Sequence, residues 1–194
     1  ESALNEIRAS DAIVVLGAGA SFMAGMPLAG QLAPLIWHTL EGHPNVLKEV
    51  CTIIGEDPGS AKNVVGDDWN RSCVAFARIA ANGDARRTFQ HCFANLNRER
   101  EAVPSNAHIA LARLLHANRV LRIVSLNWDT LLEAAFLRRY GMGINAQGIR
   151  LWKPHGDCAR PDDEWILPHE PGVVPEEVGN HLNELAAERP RVLL

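Results

Sequence analysis

No stretch of this 194-residue sequence approaches the roughly 20 apolar residues of a membrane-spanning helix; the strongest run, Ala12 to Leu16, has the length of a strand. Basic residues are not in excess either. The 19 Lys and Arg stand against 23 Asp and Glu, a net charge of −4, without the positive surplus on which unaided binding to a phosphate backbone depends. Membrane attachment and direct nucleic-acid contact by this domain are therefore not expected. Cysteine is scarce: Cys51, Cys73, Cys92 and Cys158 stand far apart and form no Cys-x-x-Cys pair, which argues against a thioredoxin-like motif or a zinc ribbon and for free thiols. No metal site is expected, since the spacings of His38, His43 and His91 fit no recognised ligand set either. An apolar signal core is missing from the first eleven residues, which carry Glu1, Glu6, Arg8 and Asp11, so the expected location is cytoplasmic. Neither end looks finished. There is no initiator methionine, and Arg191 to Leu194, after Pro190, read like a strand that has just begun, so the expectation is a C-terminally truncated domain.

What is present suits a packed core. Hydrophobic residues make up 47% and charged residues 22%, which sets disorder and coiled coil aside and leaves one domain over 1–194. Ala12 to Leu16, closed by Gly17, has the continuous apolar character of a strand buried on both faces of a parallel sheet. Leu32, Leu35, Ile36 and Leu40 then recur at helical spacing within Leu28–Leu40. Residues 41–103 contain no convincing strand and read as a helical insertion, with helices over Val74–Ala81 and Ala85–Arg100 and a polar loop over Gly55–Asn70. Ser105 opens a helix carrying Ile109, Leu111, Leu114 and Leu115, and a second apolar strand follows over Val120–Leu126. A helix over Thr130–Arg139, stopped by Gly141 and Gly143, a short strand over Ile149–Trp152 and a helix over Glu176–Glu188 complete the series. This alternation predicts an α/β fold: a Rossmann-like parallel sheet with helices on both faces and a helical insertion.

Three loops carry chemistry. The first, Gly17-Ala18-Gly19-Ala20-Ser21 through Gly25-Met26-Pro27, joins a buried strand to a helix; its small residues let backbone N–H groups approach a phosphate or ribose, and the helix N-terminus adds positive potential. It is not the usual dinucleotide fingerprint, because Phe22 stands where the third glycine would be, and no Lys-Ser/Thr pair completes a P-loop. A tight turn with no ligand would explain it equally well. The second is Ser125 to Thr130, where Asn127 and Asp129 lie between strand and helix. Capping accounts for part of it, since Thr130 and Glu133 spell a Thr-x-x-Glu capping box. In the third, Lys153 to Asp157, His155 follows a strand and precedes Gly156; alone, such a histidine is an ordinary turn residue. Ligands of open α/β sheets bind beyond the carboxyl ends of strands, where all three loops fall, so together they are expected to line one pocket.

Taken in order, these segments resemble the SIR2-like (sirtuin) superfamily, in its divergent bacterial branch of NADase and anti-phage defence proteins. Gly17 to Ser21 with Gly25-Met26-Pro27 resembles the family's Gly-Ala-Gly-x-Ser…Gly-Ile-Pro loop, and Ser105 to His108 resembles the helix before its second motif. Asn127-Trp128-Asp129 takes the place of its Thr-Gln-Asn-Ile-Asp sequence, and His155-Gly156 that of its catalytic His-Gly pair. The zinc-binding cysteine pairs of deacetylating sirtuins are absent, only Cys158 falling in that stretch, and Leu28 and Ala29 replace an aromatic residue and an arginine. Zinc-free protein deacylation is accordingly disfavoured.

The resemblance implies an NAD+ glycohydrolase that splits the nicotinamide–ribose bond to give nicotinamide and ADP-ribose, with NAD as substrate. Cofactor binding would fall to Gly17, Ala18, Gly19, Ala20, Ser21, Gly25, Met26, Pro27, Asn127 and Asp129. Catalysis would fall to His155 as general base, Asn127 orienting ribose or water, and Asp129 at the nicotinamide end. The rest of the NAD site would lie beyond residue 194. Expected partners are a fused or associated sensor or helicase domain and a second copy of the chain. The alternative is a catalytically silent module that binds NAD or an ADP-ribose-like signal and regulates its partner.

Overall fold

The computed structural model describes residues 12–100, 103–148, 150–163, 165–167, 180, 183, 187, 192 and 193. Its sheet contains β1 (Ala12–Leu16), β2 (Arg122–Ser125), β3 (Leu151–Trp152) and β4 (Val192–Leu193), all parallel and ordered β3-β2-β1-β4. These are the first four places of the doubly wound order, so the sheet is Rossmann-like. β1 and β2 pair in register from Ile13 with Arg122 to Leu16 with Ser125, and their carboxyl ends open on the same side. The short strand expected near the end of the sequence takes its place beside β1.

Handedness decides which face is covered. The steps from β1 to β2 and from β2 to β3 run in the same direction across the sheet, so right-handed crossovers lay α7 (Asn106–His116) and α8 (Leu131–Tyr140) on one face. Leu16, Ile123 and Leu151 of the strands pack there with Ala112, Leu115, Leu132 and Phe136 of the helices. The helix expected over Glu176–Glu188 falls almost wholly outside the described residues. On the other face Ile13 and Val124 are buried but Val15 is 39% exposed, so β1 is less enclosed than its apolar run implied.

Between β1 and β2 the chain builds helices. A four-residue helix, α1 (Gly19–Phe22), and a 3-10 turn over Ala29–Gln31 precede α2 (Ala33–Gly42), α3 (Pro44–Ile54), α4 (Pro58–Asp67), α5 (Trp69–Ala81) and α6 (Gly83–Arg100). The helix expected from Leu28 thus begins at Ala33, after an extended Leu28. The polar loop expected over Gly55–Asn70 is largely α4. Asp57 caps it by accepting N–H bonds from Gly59 and Ser60, Pro58 pre-sets its first turn, and Ala61 and Val65, one turn apart, are its buried anchors. Those same Asp, Pro, Gly and Ser residues punctuate loops, and that is why the segment misled.

The helical layer shares its core with the loops beyond the sheet. Phe76 meets Phe89 edge-on at 5.4 Å, Phe89 and Phe93 both meet Trp128, and Trp128 stacks on Trp165 at 5.4 Å. Each such aromatic contact adds about 0.5–1.5 kcal/mol beyond burial of its area. Trp128 sits between Asn127 and Asp129, so this packing fixes the loop after β2 against the insertion.

Candidate functional site

The loop after β1 turns back on itself, Ala20 N–H bonding Gly17 O and Ser21 N–H bonding Ala18 O, while Ala18 N–H has no backbone partner among the described residues. Gly17 and Gly19 lie outside the left-handed region, and a Cβ at either would meet nothing within 4 Å. The fold itself thus leaves open space at both. Gly25, by contrast, has φ +85°, a conformation that favours glycine. The expected field of a helix N-terminus is small here, because α1 is only four residues long and the next full helix starts at Ala33.

Ser21 lies at the bottom of this turn, 1% exposed. Its Oγ receives Nδ2–H of Asn127 at 3.0 Å and faces His108 Nε2 at 3.2 Å. On the other side of the ring, Ser105 N–H donates to His108 Nδ1, which makes Nδ1 the acceptor and places the ring proton on Nε2, directed at Ser21. Burial drives the His108 pKa below the ordinary histidine range against the opposing pull of Asp129, so the ring is neutral near pH 7.

Asn127 is fixed in one orientation. Its Nδ2 donates to Gly17 O at 3.1 Å as well as to Ser21 Oγ; a carbonyl partner can only accept, so the amide cannot be reversed. That leaves Oδ1 without a partner among the described residues, on a side chain that lines the cavity. Asp129 Oδ1 accepts Leu131 N–H at the start of α8. The Thr130–Glu133 capping box expected there does not form. Asn97 of α6 accepts Thr130 N–H and donates to its hydroxyl, and Glu133 turns to Lys153.

Among the described residues the His155 ring has one hydrogen-bond partner, Leu126 O at 3.1 Å from Nδ1. Since a carbonyl only accepts, Nδ1 carries the proton and Nε2 keeps a lone pair. Burial shifts the His155 pKa below the usual histidine value, so that lone pair is available near neutral pH. Gly156 explains its own identity: its φ is +106° and a Cβ would stand 2.7 Å from the Trp165 ring. No other side chain fits there without displacing an indole of the aromatic core.

A cavity of about 260 Å³ lies over the carboxyl ends of β1 and β2 and the loop after β3. Of the residues expected at the site, Gly17, Ala18, Ser21, Met26, Pro27, Asn127, Asp129 and His155 line it. Gly19, Ala20 and Gly25 do not; Gly25 borders a neighbouring apolar groove with Met26 and Pro27, and Ala20 supplies a carbonyl to Ser105 Oγ. The sequence reading missed Leu32 and Phe93 in the wall, and it gave no role to Trp128, which also lines the wall, or to His108 behind it, though both stand in its motifs. For His108 a signal existed, because it shares a helix face with the buried Ala112 and Leu115 at i, i+4 and i+7, where a polar side chain needs a reason.

Among the described residues, no three His, Cys, Asp or Glu side chains gather into a group that could hold a metal ion. No described helix is long and apolar enough to cross a membrane. No protein-family model matches the chain, and a search of curated proteins finds no match.

Proposed function

We propose that this chain is a SIR2-like NAD+ hydrolase, cleaving the bond between nicotinamide and ribose to give nicotinamide and ADP-ribose. One observation carries the reading: a single cavity is lined by Asn127, whose Oδ1 has no partner among the described residues, by His155, whose Nε2 can accept a proton, and by the small-residue turn to which the Asn127 amide is tied. At about 260 Å³ the cavity is small for a whole dinucleotide and suits the nicotinamide–ribose end.

In this reading the cavity residues divide the labour. Glycosidic cleavage passes through an oxocarbenium-like ribose, attacked at its anomeric carbon by water as nicotinamide leaves with the bonding electron pair. Asn127 Oδ1 accepts a hydrogen bond from a ribose hydroxyl or from that water, His155 Nε2 takes the water's proton, and the Asp129 carboxylate faces the developing positive charge. Apolar Leu32, Phe93, Met26 and Trp128 keep bulk water out. In this reading the enzyme serves cytoplasmic anti-phage defence as a homo-oligomer, with a fused or associated sensor or helicase domain.

Chromatographic assay of nicotinamide released from NAD+ tests the activity. The expected result is equal release of nicotinamide and ADP-ribose by the wild-type protein and release slowed by about a hundredfold or more in His155→Ala. NAD binding in calorimetry without any release, under every condition that preserves folding, would overturn hydrolysis in favour of a silent binding module.

A further inference from the structure

Lys153, two residues before His155, is 6% exposed in its side chain and is surrounded by oxygens. Its Nζ lies 3.0 Å from Trp128 O, 2.7 Å from Asp129 O, 3.1 Å from Glu133 Oε1 and 2.9 Å from Asp157 Oδ1. An ammonium has three N–H donors, so four acceptors fully occupy it. They come from the loop after β2, the first turn of α8 and the loop after β3. Around them Cys158 N–H bonds Trp128 O, Trp128 Nε1–H bonds His155 O, and His155 Nδ1–H bonds Leu126 O. Burial disfavours the charged lysine, yet Glu133 and Asp157 outweigh it and hold the proton on Nζ.

A buried cation with two carboxylates is a costly way to stabilise a fold, since apolar side chains of similar volume often do as well. It is an effective way to fix geometry. The Asp129 side chain lines the cavity on one loop and His155 on the other, and Lys153 grips the backbone of the first while standing in the chain of the second. We propose that Lys153 is a positioning residue, which sets the placement of Asp129 against His155 and keeps the His155 ring on the Leu126 carbonyl. Its effect on turnover rests on the hydrolase reading; its effect on the His155 ring does not.

Two variants separate positioning from folding. Lys153→Met alone strands two carboxylates, so the triple variant Lys153→Met, Glu133→Gln, Asp157→Asn removes the three charges together. The double variant Lys153→Met, Glu133→Gln also removes Nζ and its bonds to the loop after β2, and leaves Asp157, 18% exposed in its side chain, to accept Ala159 N–H. In whichever folds with native circular dichroism, nitrogen NMR of the His155 ring is expected to show a mixture of tautomers in place of the Nδ1–H form. With NAD+, kcat should fall on the order of 10–100-fold while KM changes less than about threefold, as displacement by about 1 Å does. A folded variant of either kind with the wild-type tautomer and wild-type kcat overturns the positioning role. Failure of the wild-type protein itself to release nicotinamide overturns the hydrolase reading instead, and the tautomer measurement still decides on Lys153.

Discussion

Two corners of the cavity are built in opposite ways. At the Asn127 corner the amide is tied into a chain of hydrogen bonds: Nδ2 of Asn127 is shared by Gly17 O and Ser21 Oγ, His108 backs Ser21, and Ser105 N–H backs His108. At the His155 corner a half-buried ring is held, among the described residues, by one bond to Leu126 O. The first corner is suited to presenting one acceptor in one place for as long as His108 stays neutral. The second leaves a nitrogen free to gain and lose a proton. Fixed orientation and proton transfer are different tasks, and the fold gives a hydrogen-bond network to one and a single tether to the other.

The largest expected effects come from removing each corner in turn. His155→Ala should lower kcat by about a hundredfold or more with NAD binding retained, because it deletes the base and leaves the Gly17–Ser21 turn intact. Asn127→Ala should also abolish turnover, but it strips a donor from the Gly17 carbonyl and from the buried Ser21 hydroxyl and should cost about 1–3 kcal/mol of stability in urea unfolding. The rate of the wild-type enzyme should fall on its acid limb with a midpoint below about 6.5, following the direction in which burial shifts His155. An acid limb centred above that value, or a His155→Ala enzyme that retains it, would break the assignment of the titrating task to this corner.

A smaller effect is expected where the His155 corner meets the core. Gly156→Ala must accommodate φ +106° and a methyl 2.7 Å from the Trp165 ring, a strain of about 1–3 kcal/mol. Because Trp165 stacks on Trp128 and Trp128 Nε1–H bonds His155 O, the damage should reach both loops. Thermal unfolding should show a lowered midpoint, and tryptophan fluorescence should shift in the folded state. Unchanged values for both would mean that the turn relaxes independently of the aromatic core.

Much of this arrangement is legible in the sequence because glycine marks the carboxyl ends of strands: Gly17 after β1 and Gly156 after β3 flag loops whose backbone has a special task. The parallel pairing of β1 with β2 follows from two apolar runs separated by helices. What is not legible comes from far along the chain. Phe93 and Leu32 reach the cavity from the helical layer, and nothing local to them says so. Asn97, 33 residues before Thr130, takes over the end of α8 that the Thr-x-x-Glu pattern claimed for Glu133. Glu133 in turn is drawn to a lysine 20 residues later. Local capping rules lose at these places because a buried polar partner satisfies the same groups with less exposure to water.

The smallest expected effect tests whether the Asn127 corner requires a neutral His108. Protonated His108 would carry hydrogens on both nitrogens, and Nδ1–H would then face Ser105 N–H, so the network requires the neutral ring. Burial depresses the folded-state pKa of His108 below its unfolded value of about 6.5. The native state therefore binds fewer protons than the unfolded chain in that range, and the stabilisation, complete above about pH 6.5, is lost as pH falls through the depressed value. Asp129 pulls the other way and limits the size of the effect. In His108→Gln the amide can still donate toward Ser21 and accept from Ser105, but it does not titrate. Urea unfolding of both proteins at pH 7.5, 6.5 and 5.5 isolates this group, because His155 and the raised carboxyl of Glu133 are common to the two and cancel. The wild-type protein should lose stability on acidification faster than the variant. Parallel curves would mean that His108 is protonated as readily folded as unfolded, and that the corner taken here as fixed titrates along with its partner.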